Sequence, residues 1–276
     1  MRPYLELTKP RVTWHNLMST GIGFWAGIGA GWDLLVLVHA LVGTGLLASG
    51  TAVFNQWYER DTDAKMHRTR GRPLPTGRVA PFKALVFGMA LSAAGFVELW
   101  LGANLLAALL GLATLTSYLF LYTPLKRVSP ICTTVGAVPG AMPPLIGYAA
   151  ASGILDARAW ALYAILFLWQ FPHFLAIARM YREDYARGGL AMLPPGESAA
   201  RQILLSSLLL IPISLASGLL ASQGVLYLAG ALVLGLAYFG FAVRASRDLT
   251  RLRARQLLLA SVAYLPLLYT FMLLDK

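Results

Sequence analysis

Along the chain, long apolar runs alternate with polar interruptions, and each run is about the length that a helix needs to cross a hydrocarbon core, roughly 20 residues. Nine runs meet that length: 12–31, 34–54, 82–101, 104–122, 131–151, 159–177, 203–222, 224–243 and 257–274. Trp32-Asp33, the turn near Gly102 and Ser222-Gln223-Gly224 are short enough to read as tight hairpins. The pattern predicts an all-α, polytopic membrane protein, a bundle of nine transmembrane helices forming a single domain over 1–276. Composition agrees, with 58% hydrophobic and 13% charged residues. A lone cysteine, Cys132, excludes an intrachain disulfide framework and a thiolate metal cage.

Charge adds an orientation. The net +11 would point to nucleic acid in a soluble chain, but aromatics and bases fall into separate blocks here, so no nucleic-acid partner is expected. Lys and Arg collect in cytoplasmic loops. Of the 23 bases, 21 lie in the N-terminal segment or in the connections after the second, fourth, sixth and eighth runs; Arg158 and Lys276 remain. The alternation predicts a cytoplasmic N-terminus and an outside C-terminus. The first run is long for a signal-peptide core and reads as a retained helix, and the lack of a transit peptide ahead of it favours a bacterial plasma membrane. Two polar connections, 55–81 and 178–201, stand four helices apart and hint at a four-helix pseudo-repeat.

The first connection carries the sharper chemistry. If the second helix continues past the interface, Asn55, Glu59 and Asp63 recur every four residues and share a face. An amide and two carboxylates are oxygen ligands suited to Mg²⁺, which keeps some waters and takes its other ligands from a substrate phosphate. Asp61 points off that face, toward a neighbouring base. Arg68, Arg72 and Arg78 follow, where guanidinium forks could grip phosphate oxygens. A solvated, orientation-setting loop would account for the bases, but positive-inside sorting has no use for acids in register.

In the second connection, Tyr181 and Asp184 are three residues apart on one helical face, with Arg179 and Arg182 nearby. A carboxylate there could complete a metal-bridged diphosphate site; a salt bridge to either arginine is the plain alternative. Lys126 and Arg127, after the fourth run, read either as a phosphate grip or as an orientation signal. His173, inside the sixth run after Gln170 and Pro172, is an ionisable group at a costly depth; a neutral histidine bonded to a neighbouring helix explains it equally well. His39 and Glu98 share that ambiguity.

Asn55-x3-Glu59-x3-Asp63 with Met66-x-Arg68-Thr69-x2-Arg72-Pro73-Leu74, and Tyr181-x-Glu183-Asp184-Tyr185-x2-Gly188-x3-Met192-Leu193-Pro194, resemble the two motifs of the UbiA-type intramembrane prenyltransferases, in the form of the haem-modifying branch. Leu7-Thr8-Lys9-Pro10-Arg11, Lys126-Arg127 and Pro172-His173-Phe174 extend the resemblance over nearly the whole chain. It implies an enzyme that transfers a farnesyl group from farnesyl diphosphate to a vinyl group of haem B, giving haem O and diphosphate. It implies Mg²⁺ held by Asn55, Glu59, Asp63 and Asp184, with Asp63, Glu59, Asp184 and Tyr181 as the catalytic set. Arg68, Arg72, Lys126, Arg127 and Arg179 would bind diphosphate, and His173 and Arg11 would contact haem, His173 as iron ligand or propionate partner. Membrane lipid and a downstream haem A synthase are the implied neighbours; a quinone precursor or chlorophyllide acceptor, or a transporter or assembly subunit, are the rival readings. Two departures stand out: Glu59 replaces the commoner Asp, and Gly188 stands where the wider family has a second Asp.

Overall fold

The computed structural model describes residues 1–29 and 33–275, so Trp32 of the first expected hairpin lies outside the described residues. Among these the chain is helical throughout, with no strand. The helices are α1 (Arg2–Leu7), α2 (Pro10–Gly27), α3 (Leu34–Asp63), α4 (Pro81–Gly102), α5 (Leu105–Leu125), α6 (Cys132–Gly140), α7 (Met142–Ser152), α8 (Ala157–Met180), α9 (Arg182–Arg187), α10 (Gly196–Leu220), α11 (Val225–Arg247) and α12 (Arg251–Leu274). Local chemistry sets many starts. Asp33, Asn104, Asp156 and Thr250 accept hydrogen bonds from first-turn amides, and prolines open α2 and α4.

Seven helices, α3, α4, α5, α8, α10, α11 and α12, are long and apolar enough to cross a membrane, which makes this a multi-pass membrane protein. The expected run 12–31 is helical as far as Gly27, and 131–151 is mostly helical, but both fall outside that set. α2 carries polar residues such as His15 and Asn16. The other run is broken at Ala141 into α6 and α7, with Pro139, Pro143 and Pro144 around the break. α7 is also the most enclosed stretch, every side chain from Pro143 to Ala150 being buried. Interior helices of a membrane bundle need small residues more than greasy ones. A Cβ on Gly147 would lie 1.8 Å from the Thr20 carbonyl oxygen, and one on Gly23 would lie 2.0 Å from that of Pro144, so α2 and α7 cross in backbone contact.

The helices divide between two compact units. One comprises Met1–Leu155 with Glu183–Leu190; the other comprises Asp156–Arg182 with Ala191–Lys276. The core of the first joins Phe24, Leu47, Leu99, Leu115 and Ile146, with a second cluster of Leu7, Val53, Leu74, Val79 and Ala84. The second unit is tied by polar contacts in apolar surroundings: Ser214 Oγ with the Tyr264 hydroxyl at 2.9 Å, Tyr227 donating to the Ser214 carbonyl, and Trp169 Nε1 donating to the Ser261 carbonyl.

Candidate active site

α3 owes its function to its length. At 1.5 Å per residue its 30 residues reach about 45 Å, against a hydrocarbon thickness of about 30 Å. Its apolar part ends near residue 54, so the last turns continue beyond it as a rigid polar rod. Asn55, Glu59 and Asp63 lie on one buried face of that rod, 2%, 7% and 1% exposed. The Asn55 amide donates to Glu59 Oε2 at 2.9 Å, fixing which Asn55 atom remains as an acceptor. Asp61, off the face, is exposed and lies near Arg60, as its register predicts.

Each acid of the row has its own cation. Lys126 Nζ donates to Glu59 Oε1 at 2.8 Å, both side chains nearly enclosed. Arg72 Nη1 donates to Asp63 Oδ2 at 2.6 Å. A π-helical turn over Tyr118–Tyr122 at the end of α5 brings two tyrosine rings 4.9 Å apart, and Lys126 Nζ lies 4.5 Å from the Tyr122 ring centre and 5.8 Å from that of Tyr118. Burial alone would depress the Lys126 ammonium, yet Tyr122 and Glu59 beside it hold its pKa well above the ordinary lysine value. Arg127 Nη2 donates to Thr62 Oγ1 at 2.6 Å and stacks near Tyr58.

A further cation, given no site role by the sequence, completes the cluster. Lys9 Nζ donates to Asn55 Oδ1 at 2.9 Å across 46 residues of chain. The Lys9 backbone is left-handed, at φ 49°, in the turn between α1 and α2, a conformation costing roughly 1–2 kcal/mol for a side-chain-bearing residue. Gln56 Nε2 donating to the Leu7 carbonyl at 2.7 Å pins that turn to α3. Burial, then repulsion from Arg72 and Lys126, pulls the Lys9 ammonium down to about 7 despite the attraction of Glu59 and Asp63.

The second motif meets the first through main chain. Asp184 Oδ1 and Oδ2 accept from the backbone N–H groups of His67 and Arg68 at 3.0 and 3.2 Å, and Arg187 Nη2 donates to Oδ1 at 2.9 Å. Asp184 therefore holds the loop that follows Asp63, with Arg187 rather than Arg179 or Arg182 as its base. Burial raises its carboxyl, but the two amides and Arg187 outweigh that and leave the pKa below the usual carboxylate value. The same loop is closed by Thr69 Oγ1 donating to the Asp63 carbonyl at 2.9 Å. Gly188 packs on it: an added Cβ would lie 3.1 Å from Met66 Cγ and Sδ and from Thr62 Cγ2, so a side chain there would need Met66 to give by a few tenths of an ångström.

Other expected site residues are placed differently. Arg78 turns to Glu6 of α1, at 2.8 Å, and to the Gly71 carbonyl. Arg179 Nε donates to the Leu249 carbonyl, tying α8 to the segment before α12. Tyr181 is the residue that ends α8. Arg68 and Arg11 are exposed. His173 Nδ1 is 2.8 Å from Ser261 Oγ and its ring stacks on Trp169. Since Ser261 Oγ donates its one hydrogen to the Leu258 carbonyl, His173 Nδ1 is the donor. His39 and Glu98 pair at 2.8 Å.

The donor set of the row fits a hard divalent cation. Asp63 Oδ1 is buried without a hydrogen-bond partner, an uncommon state for a carboxylate oxygen and one that a cation would relieve. No three His, Cys, Asp or Glu side chains converge among the described residues. Two carboxylates and an amide would therefore leave most of the coordination to water and substrate, as Mg²⁺ prefers.

A multi-helical membrane bundle with an acid row beside a cluster of cations at a span end defines a class of intramembrane transferase, and comparison with known proteins agrees. Residues 16–272 match the UbiA prenyltransferase family. The chain belongs to the UbiA prenyltransferase family and is a prenyltransferase. It is 59% identical to a protoheme IX farnesyltransferase of Solibacter usitatus (strain Ellin6076), covering 100% of this chain and 99% of that one. It is 46% identical to a protoheme IX farnesyltransferase of Koribacter versatilis (strain Ellin345), covering 100% and 94%. In fold it is similar to a digeranylgeranylglyceryl phosphate synthase at TM-score 0.82 and 17% identity, covering 98% of this chain and 96% of that one. It is also similar to a UbiA homologue of Archaeoglobus fulgidus bound to GPP and Mg²⁺, at TM-score 0.69 and 17% identity, covering 98% and 99%.

Proposed function

We propose that this protein transfers the farnesyl group of farnesyl diphosphate to a vinyl group of haem B, forming haem O and releasing diphosphate. The observation that carries the chemistry is the row Asn55, Glu59, Asp63 with its unsatisfied Asp63 oxygen, bordered by more cations than it has acids. The acceptor is supported by the full-length similarity to protoheme IX farnesyltransferases.

Asn55, Glu59 and Asp63 would hold Mg²⁺; Asp184, whose oxygens accept from the amides of His67 and Arg68, would join them through Oδ2, which accepts only the Arg68 N–H. Bound there, Mg²⁺ supplies positive charge to the diphosphate as its carbon–oxygen bond breaks. Arg72, Lys126 and Arg127 would hold diphosphate oxygens, with Arg68 from the same loop, and so stabilise the electron pair that leaves with the diphosphate. The vinyl π electrons of haem would form the new carbon–carbon bond, water would add to the resulting cation, and one proton would be lost. The enclosed ends of α3 and α5 would keep stray water from the allylic carbon. His173 and Arg11 remain the proposed haem contacts, Arg179 and Tyr181 a supporting part of the second motif.

We place the enzyme in a bacterial plasma membrane with nine spans, counting α2 and the broken α6–α7 pair. The motif connections are then cytoplasmic, the N-terminus inside and the C-terminus outside, and haem O is delivered toward a haem A synthase. Solubilised enzyme incubated with farnesyl diphosphate and haem B should make haem O with Mg²⁺ and none with chelator. Prenylation of an aromatic acid in place of haem would overturn the acceptor; unaltered turnover in chelator would overturn the metal.

A further inference from the structure

Three carboxylates surround the site, and each has its own cation: Lys126 on Glu59, Arg72 on Asp63 and Arg187 on Asp184. Lys9 is different. Its hydrogen-bond partner is the neutral oxygen of Asn55, and it lies among cations already paired, so no acid of the row requires it. It is nevertheless delivered there at some cost, through a left-handed turn followed by a proline and pinned by Gln56.

Asn55 has a single oxygen through which to ligate a metal, because its amide nitrogen is committed to Glu59. That oxygen is the one Lys9 occupies. An ammonium at 2.9 Å and a divalent ion at about 2.1 Å on one carbonyl oxygen would bring three positive charges within about 5 Å of each other. The two occupants therefore compete. We propose that Lys9 is a displaceable counter-cation of this site: it covers the Asn55 oxygen until a metal–diphosphate pair arrives, then releases it and moves onto the incoming diphosphate.

The arrangement makes the site selective. A bare divalent cation has to evict Lys9 from the Asn55 oxygen while itself claiming the unpartnered Asp63 Oδ1, whereas a metal bound to diphosphate brings the ammonium a new anionic partner. Metal and diphosphate should then bind cooperatively, each helping the other. The inference rests on the reading of Asn55, Glu59 and Asp63 as metal ligands.

The test uses the full chain in detergent with Mn²⁺ in place of Mg²⁺, free Mn²⁺ being followed by electron paramagnetic resonance, without and with inorganic pyrophosphate. Asp63→Asn supplies the background. Lys9→Met should bind Mn²⁺ about tenfold more tightly than wild type without pyrophosphate, the scale expected for removing one charge a few ångströms from a divalent ion. It should also lose most of the gain in Mn²⁺ affinity that pyrophosphate confers on wild type. Lys9→Arg, which keeps the charge, should behave like wild type and shows that the turn tolerates replacement. Equal or weaker Mn²⁺ binding by Lys9→Met without pyrophosphate overturns the proposal. Failure of the wild type to make haem O would instead overturn the reaction assigned above and leave this metal comparison standing.

Discussion

The Lys126–Glu59 pair separates what holds the site together from what it does. Lys126→Met keeps the length and apolar stem of the side chain and removes the charge, leaving Glu59 with the hydrogen bond from the Asn55 amide. The two side chains are 8% and 10% exposed and 2.8 Å apart, so solvent cannot replace the lost ammonium. Breaking a buried pair by deleting one partner costs about 3–5 kcal/mol. Loss of the cation–π contact with Tyr122 adds about 1 kcal/mol. Relief comes from Lys9, close enough to offset part of this, so the expected loss is about 3 kcal/mol, or roughly 6 °C or more in thermal midpoint. Thermal unfolding of the solubilised protein checks the value. The double variant Glu59→Gln with Lys126→Met removes both charges and should recover most of the stability while remaining at least about a hundredfold down in haem O formation, since neither metal ligand nor phosphate grip returns. A Lys126→Met protein as stable as wild type, or a double variant whose losses simply add, would refute the buried-pair reasoning.

Other outcomes are as definite. Gly147→Leu forces α2 and α7 apart, because even its Cβ meets the Thr20 carbonyl oxygen at 1.8 Å, and should cost about 3 kcal/mol or more, seen as loss of monodisperse protein in detergent. Asp184 has a carboxyl pKa below its unfolded value, so its contribution is present above about pH 3.9 and is lost as pH falls through the lower folded value. Asp184→Asn should remove most of that contribution at neutral pH and speed hydrogen exchange at the His67 and Arg68 amides, whereas unchanged exchange there would refute the tether. Gly188→Asp should displace Met66 and lower thermal stability without adding a metal ligand, and tighter Mn²⁺ binding in that variant would count against this account.

Much of this was readable from apolar periodicity. The helix carrying the acid row could be extended past its apolar stretch because nothing between Phe54 and Asp63 breaks a helix, and Asn55, Glu59 and Asp63 do share one buried face. Two expected spans were less plain. α2 is polar for a membrane helix and the α6–α7 run is broken at Ala141, although every side chain from Pro143 to Ala150 is buried. Residues whose partners lie far away in sequence were the least legible. Arg78 turned to Glu6 and Arg179 to Leu249, choices made by packing rather than by local spacing. Lys9 stands in the Leu7-Thr8-Lys9-Pro10-Arg11 match but carried no site role, because its turn precedes the first span and its partner lies 46 residues on. A signal did exist there: a lysine before a helix-opening proline, in a chain otherwise dominated by arginine. Tyr118 and Tyr122, four residues apart, share a helical face by ordinary spacing, but their closing around Lys126 depends on the turn that follows α5.

The departure at Gly188 and the placement of Asp184 are best understood together. A second motif with two acids one helical turn apart would present a second carboxylate toward the first motif. Here Gly188 packs tightly against Met66 and Thr62, and the remaining acid accepts, through both oxygens, from the amides of the loop that follows Asp63. That loop also supplies Arg72, whose guanidinium grips the other oxygen of Asp63. The second motif thus acts on the first through its backbone: Asp184 fixes the loop, the loop fixes Arg72, and Arg72 leaves one Asp63 oxygen aimed without a partner. Preorganisation of this kind places the cost of ordering the site in folding rather than in the reaction. On the metal reading proposed above, two carboxylates and an amide would be enough, because the Asp63 oxygen is already held in place and only the Asn55 oxygen has to be uncovered.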